Sequence, residues 1–324
     1  MAYAVSVVTT RGRCIDDHRF VHEAMFYEGD DDFIEQTLPF LRDGIAAGES
    51  MLVALGATRT RRLRAELGAD VEWVQFAEME TLGRNPARII SAWHDFVTAH
   101  EHAGRPLRGI GEPIWPGRSE SELSECHRHE ALLNVAFDDG RPWWLLCPYD
   151  AAALPDEVLQ EARRTHPLVR ERGEARPSAV FPSPLASEPF HGVLPEPPGP
   201  VAEYAFGPSD LASVRGLVAE SAQAAGLAEP RAVELVLCVS ELAANSVLHG
   251  GGTGILRTWS ESRTVMCEVR DRGALREPLT GRIRPAIDAR NGRGVWFANA
   301  MCDLVQIRSQ ADGTVVRASM YVDV

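Results

Sequence analysis

Three short stretches in the last third of the chain carry residue types that could handle a nucleotide. In the helix-periodic run over 230–249, Glu241, Asn245 and His249 recur at i, i+4 and i+8, which aligns them on one face. Leu235, Val239 and Leu242 mark a different, apolar face. A carboxylate so placed can accept a proton, and an amide oxygen beside it can ligate Mg²⁺. The run ends in Gly250-Gly251-Gly252, where a ligand could approach the backbone. Next comes Asp271-Arg272-Gly273, directly after a strand-like segment. An acidic side chain at a strand end can accept a hydrogen bond from an exocyclic amine such as that of adenine, and Gly273 lets the backbone turn close to a ring. Last, Gly292-Arg293-Gly294 opens another helical run, an arrangement that exposes backbone N–H groups suited to phosphate. Singly these patterns are weak, since an E-x-x-x-N pair is more often a solvated face and DxG or GxG an ordinary turn. Their order carries the weight.

The elements that must position these residues follow from periodicity. A strand is expected over 201–206, helices near 210–225 and 230–249, and alternating strands over 255–260 and 265–270. A short helix over 294–302 precedes a hairpin of 304–308 with 314–322 around Asp312-Gly313. This predicts helices layered on a largely antiparallel sheet. The earlier part of the chain reads differently. Strands are expected over 22–27, 51–56, 71–76, 107–111 and 143–149, and helices over 32–47, 59–67, 86–101, 120–137 and 155–165. Asn85-Pro86 and the Ser119/Glu122 capping box mark two of the helix starts. Such alternation implies a mainly parallel sheet covered on both faces. Between the two parts, 177–200 holds eight prolines in 24 residues and reads as an interdomain linker.

Composition narrows the function classes. A chain of 324 residues suits two domains, and a formal net charge of −13 argues against direct nucleic-acid binding, which needs a basic face. No run approaches 18 apolar residues and no basic-then-apolar leader is seen, so no membrane span is expected. Six scattered cysteines without a CxxC pair read as reduced residues of a cytoplasmic protein. The chain contains no lysine, so P-loop, protein-kinase-strand and Schiff-base lysine chemistry are all excluded.

The stretches SELAANSVLHG, DRG and NGRGVWFANAMCD resemble the N, G1 and G2 boxes of the GHKL ATPase superfamily, and more narrowly its anti-sigma serine-kinase branch. The resemblance covers about 120 residues, taken as a domain over 201–324 with an α+β GHKL (Bergerat) sandwich. It implies bound ATP and Mg²⁺, Glu241 as general base and Asn245 as Mg²⁺ ligand. It further implies Asp271 as adenine anchor, Gly273 flanking the base, and Gly292, Arg293 and Gly294 at the phosphates or lid. Thr314 would sit near adenine, and His249 would join the cofactor-binding set. Its implied partners are a sigma factor, an anti-sigma antagonist of STAS type, or both, with a homodimer as a family expectation. Two features depart from the family pattern. The G1 box lacks the third glycine of DxGxG, and the lid is short and rich in arginine (Arg276, Arg282, Arg284, Arg290). A phosphorylating serine kinase and a non-catalytic ATP-binding module therefore both stay open. A histidine kinase would need a dimerising helical pair with a phosphoacceptor histidine, and a gyrase- or chaperone-like machine a transducer domain. Neither is expected here.

Upstream, GRNPARIISAWHDFV, GIGEPIWPGRSESELSECHRHEALLNVAF and WWLLCPYDAAALP resemble the MEDS sensory domain. The resemblance implies a RecA-like three-layer α/β fold over 18–170 without a working P-loop, with a linker over 171–200. It also implies a small-molecule signal of unknown identity. Glu112, Trp115, Arg118, His127, Glu130 and Asn134 are the polar or aromatic candidates at its ligand edge, and each could equally cap, pack or pair. Cys14, His18 and His22, or Cys126, His127 and His129, have spacings that invite a metal, but neither forms a complete ligand set.

Overall fold

The computed structural model describes residues 20–100, 104–138, 141–182, 191–285 and 292–322, and it divides into two compact units, Met1–Ser187 and Glu188–Val324. The first unit is α/β. Its elements run β1 (Phe20–Tyr27), α1 (Gly29–Ala47), β2 (Ser50–Leu55), α2 (Ala57–Leu67), β3 (Val74–Glu78) and α3 (Met79–Leu82). They continue with α4 (Ile89–Ala99), β4 (Leu107–Gly111), α5 (Glu120–Ala136), β5 (Trp143–Asp150), α6 (Asp156–Thr165), β6 (Leu168–Glu171) and β7 (Glu174–Pro177). The sheet order is β3-β2-β4-β5-β1-β6-β7, parallel throughout except for the β6–β7 pair. Every residue of β4 is buried, as expected of a strand covered on both faces. α5 begins at the predicted capping box: Ser119 Oγ accepts from the Glu122 amide at 3.3 Å while the Glu122 carboxylate accepts from the Ser119 amide at 2.8 Å.

Several boundaries differ from those expected. Residues 71–73 belong to a 3₁₀ turn over Gly68–Trp73, so the strand starts at Val74. Asn85 caps a short 3₁₀ turn, Pro86–Arg88, before α4 takes over. Residues 171–177, assigned to the linker from the sequence, instead complete an edge hairpin around Arg172 and Gly173, both at positive φ. Pro177 is tolerated there because it ends an edge strand.

In the second unit, β8 (Ala202–Phe206), α7 (Leu211–Ala224), α8 (Glu229–His249), β9 (Gly254–Glu261), β10 (Thr264–Asp271), α9 (Arg293–Met301), β11 (Leu304–Gln310) and β12 (Gly313–Tyr321) build a five-stranded antiparallel sheet. Its order is β11-β12-β10-β9-β8. One described helix, α8, is long and apolar enough to cross a membrane by length and composition. Its Leu235, Val239 and Leu242 lie in the core with Val269, Val316 and Ala298, which accounts for that apolarity.

The opposite sheet face is polar yet buried. Glu268 is fully buried at its centre, with Arg257 Nη1 at 3.0 Å, Arg270 Nε at 2.6 Å and Arg317 donating twice at 2.8 and 2.6 Å. Burial pushes the Glu268 carboxyl up, but the arginine hydrogen bonds outweigh it and hold the group below its ordinary value. The end of the proline-rich stretch straps this face. Glu196 pairs with Arg257 and Arg270, and the Pro195 and Gly192 carbonyls accept from Arg317 and Gln310.

Removing the buried carboxylate takes the buried partner from three guanidinium groups, leaving Arg317 with a backbone carbonyl and Arg257 and Arg270 with exposed carboxylates. Glu268→Ala is expected to cost roughly 3–5 kcal/mol of stability. Glu196, whose side chain is 64% exposed, should cost under about 1 kcal/mol as Glu196→Ala. Urea denaturation of the two variants side by side measures the contrast.

Candidate functional site

α8 is held by its apolar stripe, so the neighbouring face carrying Glu241 and Asn245 is placed by the helical repeat alone. α9 begins against that face. A Cβ added at Gly294 would stand 2.8 Å from Asn245 Nδ2 and 3.2 Å from Glu241 Cβ, so only a glycine allows so close an approach. Gly292 caps α9 at φ 86° with no side-chain cap, a conformation that favours glycine and directs the first turn of the helix at Glu241 and Asn245. A carboxylate, an amide and a helix N-terminus are thereby brought together, the chemistry of an anion held with a cation.

The strand end supplies a second group. Asp271, the last residue of β10, accepts from the Gly273 amide at 2.8 Å and from Ser246 Oγ at 2.6 Å. Ser246 lies next to Asn245 on α8, so one hydrogen bond ties the helix to the strand end. Gly250 and Gly273 close this corner: a Cβ on Gly250 would fall 2.4 Å from Asp271 Cγ, and one on Gly273 would lie 2.9 Å from the His249 carbonyl oxygen. Thr314, buried in β12 opposite Asp271, donates to the Gly273 carbonyl at 2.8 Å and contacts Ser309 Oγ at 2.8 Å. Glu241, Asn245 and Gly294 thus form one end of the site, and Asp271, Gly273 and Thr314 the other. His249 and Arg293 are exposed at the edges. Of the lid arginines, Arg282 is buried, Arg284 lies over the Trp296 ring at 5.7 Å, and Arg290 falls outside the described residues. Ser246 was not singled out from sequence; its hydroxyl sits one residue from Asn245, and only the fold shows it turned to Asp271.

The six N-terminal candidates do not gather at one place. Glu112 lies just past β4 at the carboxyl edge of the parallel sheet, where ligands of open α/β sheets bind. Its Oε1 accepts from Tyr27 Oη and Arg59 Nη1, each at 2.8 Å, and Arg59 Nη2 donates to Asp150 at 3.0 Å. Burial pushes the Glu112 carboxyl up to about 7 against the pull of Arg59 and Tyr27, and burial also raises the Tyr27 hydroxyl. Arg118 stacks on Trp115 at 3.6 Å and donates to the Pro113 and Gly83 carbonyls, so this pair braces loops. Burial lowers His127. Glu130 and Asn134 turn inward to His22. Of the two spacings that invite a metal, Cys14 and His18 lie outside the described residues, and in the other Cys126 directs its thiol to the Pro113 carbonyl. Ligating atoms of His22, Glu130, Cys147 and His166 converge instead.

Because the folded chain holds the Glu112 proton more tightly than the unfolded chain, this group favours folding most below its ordinary 4.5. That contribution is lost as pH rises through about 7. From about pH 5 to pH 8 the unaltered chain should lose roughly 2–3 kcal/mol more stability than Glu112→Gln, read from denaturant melts at each pH.

Residues 21–167 match the family described as MEDS, MEthanogen/methylotroph, DcmR Sensory domain, and residues 205–320 match the Histidine kinase-like ATPase domain. No curated protein matches the chain. Among solved structures it is similar to the RsbU and RsbW domains of Rv1364c from Mycobacterium tuberculosis, at 20% identity and a TM-score of 0.30. That likeness covers 39% of this chain and 33% of that one, so the chain spans about a third of that structure's length, and a likeness this slight does not bear on function. The two family matches fall on the two units separately: the chain joins an N-terminal MEDS domain to a C-terminal histidine kinase-like ATPase domain.

Proposed function

We propose that this chain is a signal-responsive regulator of bacterial partner switching, in which the C-terminal domain binds Mg·ATP and phosphorylates a serine on an anti-sigma antagonist. The observation that carries this reading is the meeting of Glu241, Asn245 and the Gly294 end of α9. The residues fit the group: three glycines keep the backbone clear where side chains would fill the cradle, and the α9 N-terminus has no side-chain cap. Bound Mg·ATP supplies the transferable phosphoryl group and neutralises its charge. Asn245 offers an amide oxygen to the ion, and the first-turn amides of α9 favour the phosphates. Asp271 has accepting capacity left on both oxygens beside the bonds from Ser246 and Gly273, and so can take an exocyclic amine. Glu241 accepts the proton of the attacking serine. The phosphate added to the antagonist weakens its docking through charge, which releases or recaptures a sigma factor. The N-terminal domain reads a small-molecule signal at the Glu112 edge of a RecA-like fold, and the chain works in the cytoplasm, pairing through its ATPase domain.

A second reading, a module that binds ATP without transferring phosphate, draws on the Asp-Arg-Gly-Ala sequence, which lacks the third glycine of the fuller motif. Partner capture unchanged in Glu241→Ala would favour it.

Incubation with Mg²⁺, γ-labelled ATP and candidate antagonist domains should move label to an antagonist serine, with transfer abolished in Asn245→Ala. ATP binding without transfer to any candidate selects the second reading, and absence of ATP binding overturns both. Independently, Gly294→Ala places a methyl against Asn245 and should weaken nucleotide affinity by about tenfold or more, measured by fluorescent-nucleotide titration.

A further inference from the structure

We propose that His22, Glu130, Cys147 and His166 form a tetrahedral binding site for a divalent metal ion of the Zn²⁺ class in the core of the N-terminal domain. The four side chains come from β1, α5, β5 and the residue that follows α6. All are between 0 and 2% exposed, and their ligating atoms lie within 4.8 Å of one another.

Ring orientation comes first. Asn134 Nδ2 is fixed as a donor by the carbonyls of Thr165 at 2.8 Å and of Glu130 and Ala131 at 3.3 Å. Its Oδ1 therefore faces His22 Nδ1, 3.1 Å away, and that nitrogen must carry the proton. His166 Nδ1 lies 2.8 Å from the Ala162 carbonyl and donates to it in the same way. In both neutral rings this leaves a lone pair on Nε2, the tautomer that metal-bound histidines adopt when an outer partner holds the other nitrogen.

Both lone pairs converge on an acceptor. Glu130 Oε2 lies 3.1 Å from His22 Nε2 and 3.3 Å from His166 Nε2. His166 Nε2 makes no hydrogen bond among the described residues, and neither does Glu130 Oε1, although both are buried. Cys147 Sγ stands 3.5 Å from His22 Nε2. The Cys147 thiol can donate to His22 Nε2, but the His166 Nε2 lone pair still faces the Glu130 carboxylate. Two acceptors so placed in a dry interior are costly unless something positive lies between them.

The spacing fits an ion. Tetrahedral Zn²⁺ with bonds of about 2.0–2.1 Å to nitrogen, 2.0–2.2 Å to oxygen and 2.3 Å to sulfur places N and O about 3.3–3.5 Å apart, and S and N about 3.6 Å apart. Three of the tetrahedron's six edges, those given above, lie within about 0.2 Å of these values, and all six are within 4.8 Å, so binding would draw the remaining pairs together. Charge also balances, since a thiolate and a carboxylate offset a dication and the two imidazoles stay neutral. Cys147 would lose its proton on binding, as thiolate ligands do. Four protein ligands leave no open position, so the ion would tie four elements together instead of activating water.

The test uses the full chain, stripped with a chelator under reducing conditions and titrated with Co²⁺. One equivalent should bind with the visible bands of a tetrahedral ion and a near-ultraviolet thiolate-to-metal band, both erased by Zn²⁺. Cys147→Ser should lose the thiolate band, whereas Cys126→Ser, a buried cysteine of the same domain outside the cluster, should keep it. Asn134→Ala, which removes the outer partner of His22 and the bond to the Thr165 carbonyl but none of the four ligands, should weaken Co²⁺ binding by about 10–100-fold. No saturable Co²⁺ signal in the unaltered chain, or a thiolate band that survives in Cys147→Ser, overturns the proposal. Should Cys147→Ser fail to fold by circular dichroism, the unaltered chain and Asn134→Ala decide it: affinity unmoved by Asn134→Ala counts against the site.

Discussion

The chemistry of the C-terminal domain hangs on the orientation of one helix about its own axis. α8 buries Leu235, Val239 and Leu242 against the sheet, and a helix advances 100° per residue, so fixing that stripe also fixes the direction of Glu241 and Asn245. The Ser246–Asp271 hydrogen bond locks the same rotation from the far end, where the helix meets the last residue of β10. Rotating α8 by one residue would bury the carboxylate in the core and expose an apolar side chain. The core thus positions the site without any contact made for that purpose, and the glycines at 250, 273 and 294 then let three backbone segments approach it.

Several buried and half-buried carboxylates are matched by arginine. The chain has no lysine, and two interior pairs use the planar fork of arginine: Arg170 with Glu23 at 2.9 and 3.2 Å, and Arg108 with Glu49 at 2.5 and 3.2 Å. An ammonium cannot form two parallel bonds to one carboxylate, so substitution by lysine at these positions would leave donors and acceptors unmatched. Three guanidinium groups around Glu268 extend the logic to a small network that covers one sheet face, where most antiparallel sheets would meet water.

Much of this was legible in the sequence because it is periodic. The spacing of Glu241, Asn245 and His249 identified one helix face, although only Glu241 and Asn245 meet the start of α9 while His249 is exposed. The Ser119 capping box was read correctly because it is local. What escaped was either short and polar or assembled at a distance. The β6–β7 hairpin has four-residue strands ending in proline, with no alternation long enough to register. The cluster of His22, Glu130, Cys147 and His166 has no characteristic spacing, since its members are joined by strand pairing: β1 lies beside β5, which brings residues 22 and 147 together. The nearby pattern of Cys126, His127 and His129 looked more like ligands, yet on α5 only Cys126 and His129 share the buried face, and His127 is turned about 100° away.

The proline-rich stretch shows how composition can mislead about mechanical role. Proline content marked it as a spacer, and residues 171–177 proved to be sheet. From Gly192 to Glu196 it is bound instead to the C-terminal sheet, through two backbone carbonyls and the Glu196 ion pairs. Proline suits such a strap: it cannot compete for strand hydrogen bonds, loses little entropy when ordered, and leaves its carbonyl free to accept from an arginine. The arginines that hold the strap are Arg257, Arg270 and Arg317, the same three that surround Glu268, and Arg270 directly precedes Asp271. The strap and the candidate site at Asp271 therefore share a strand, on opposite faces and one residue apart.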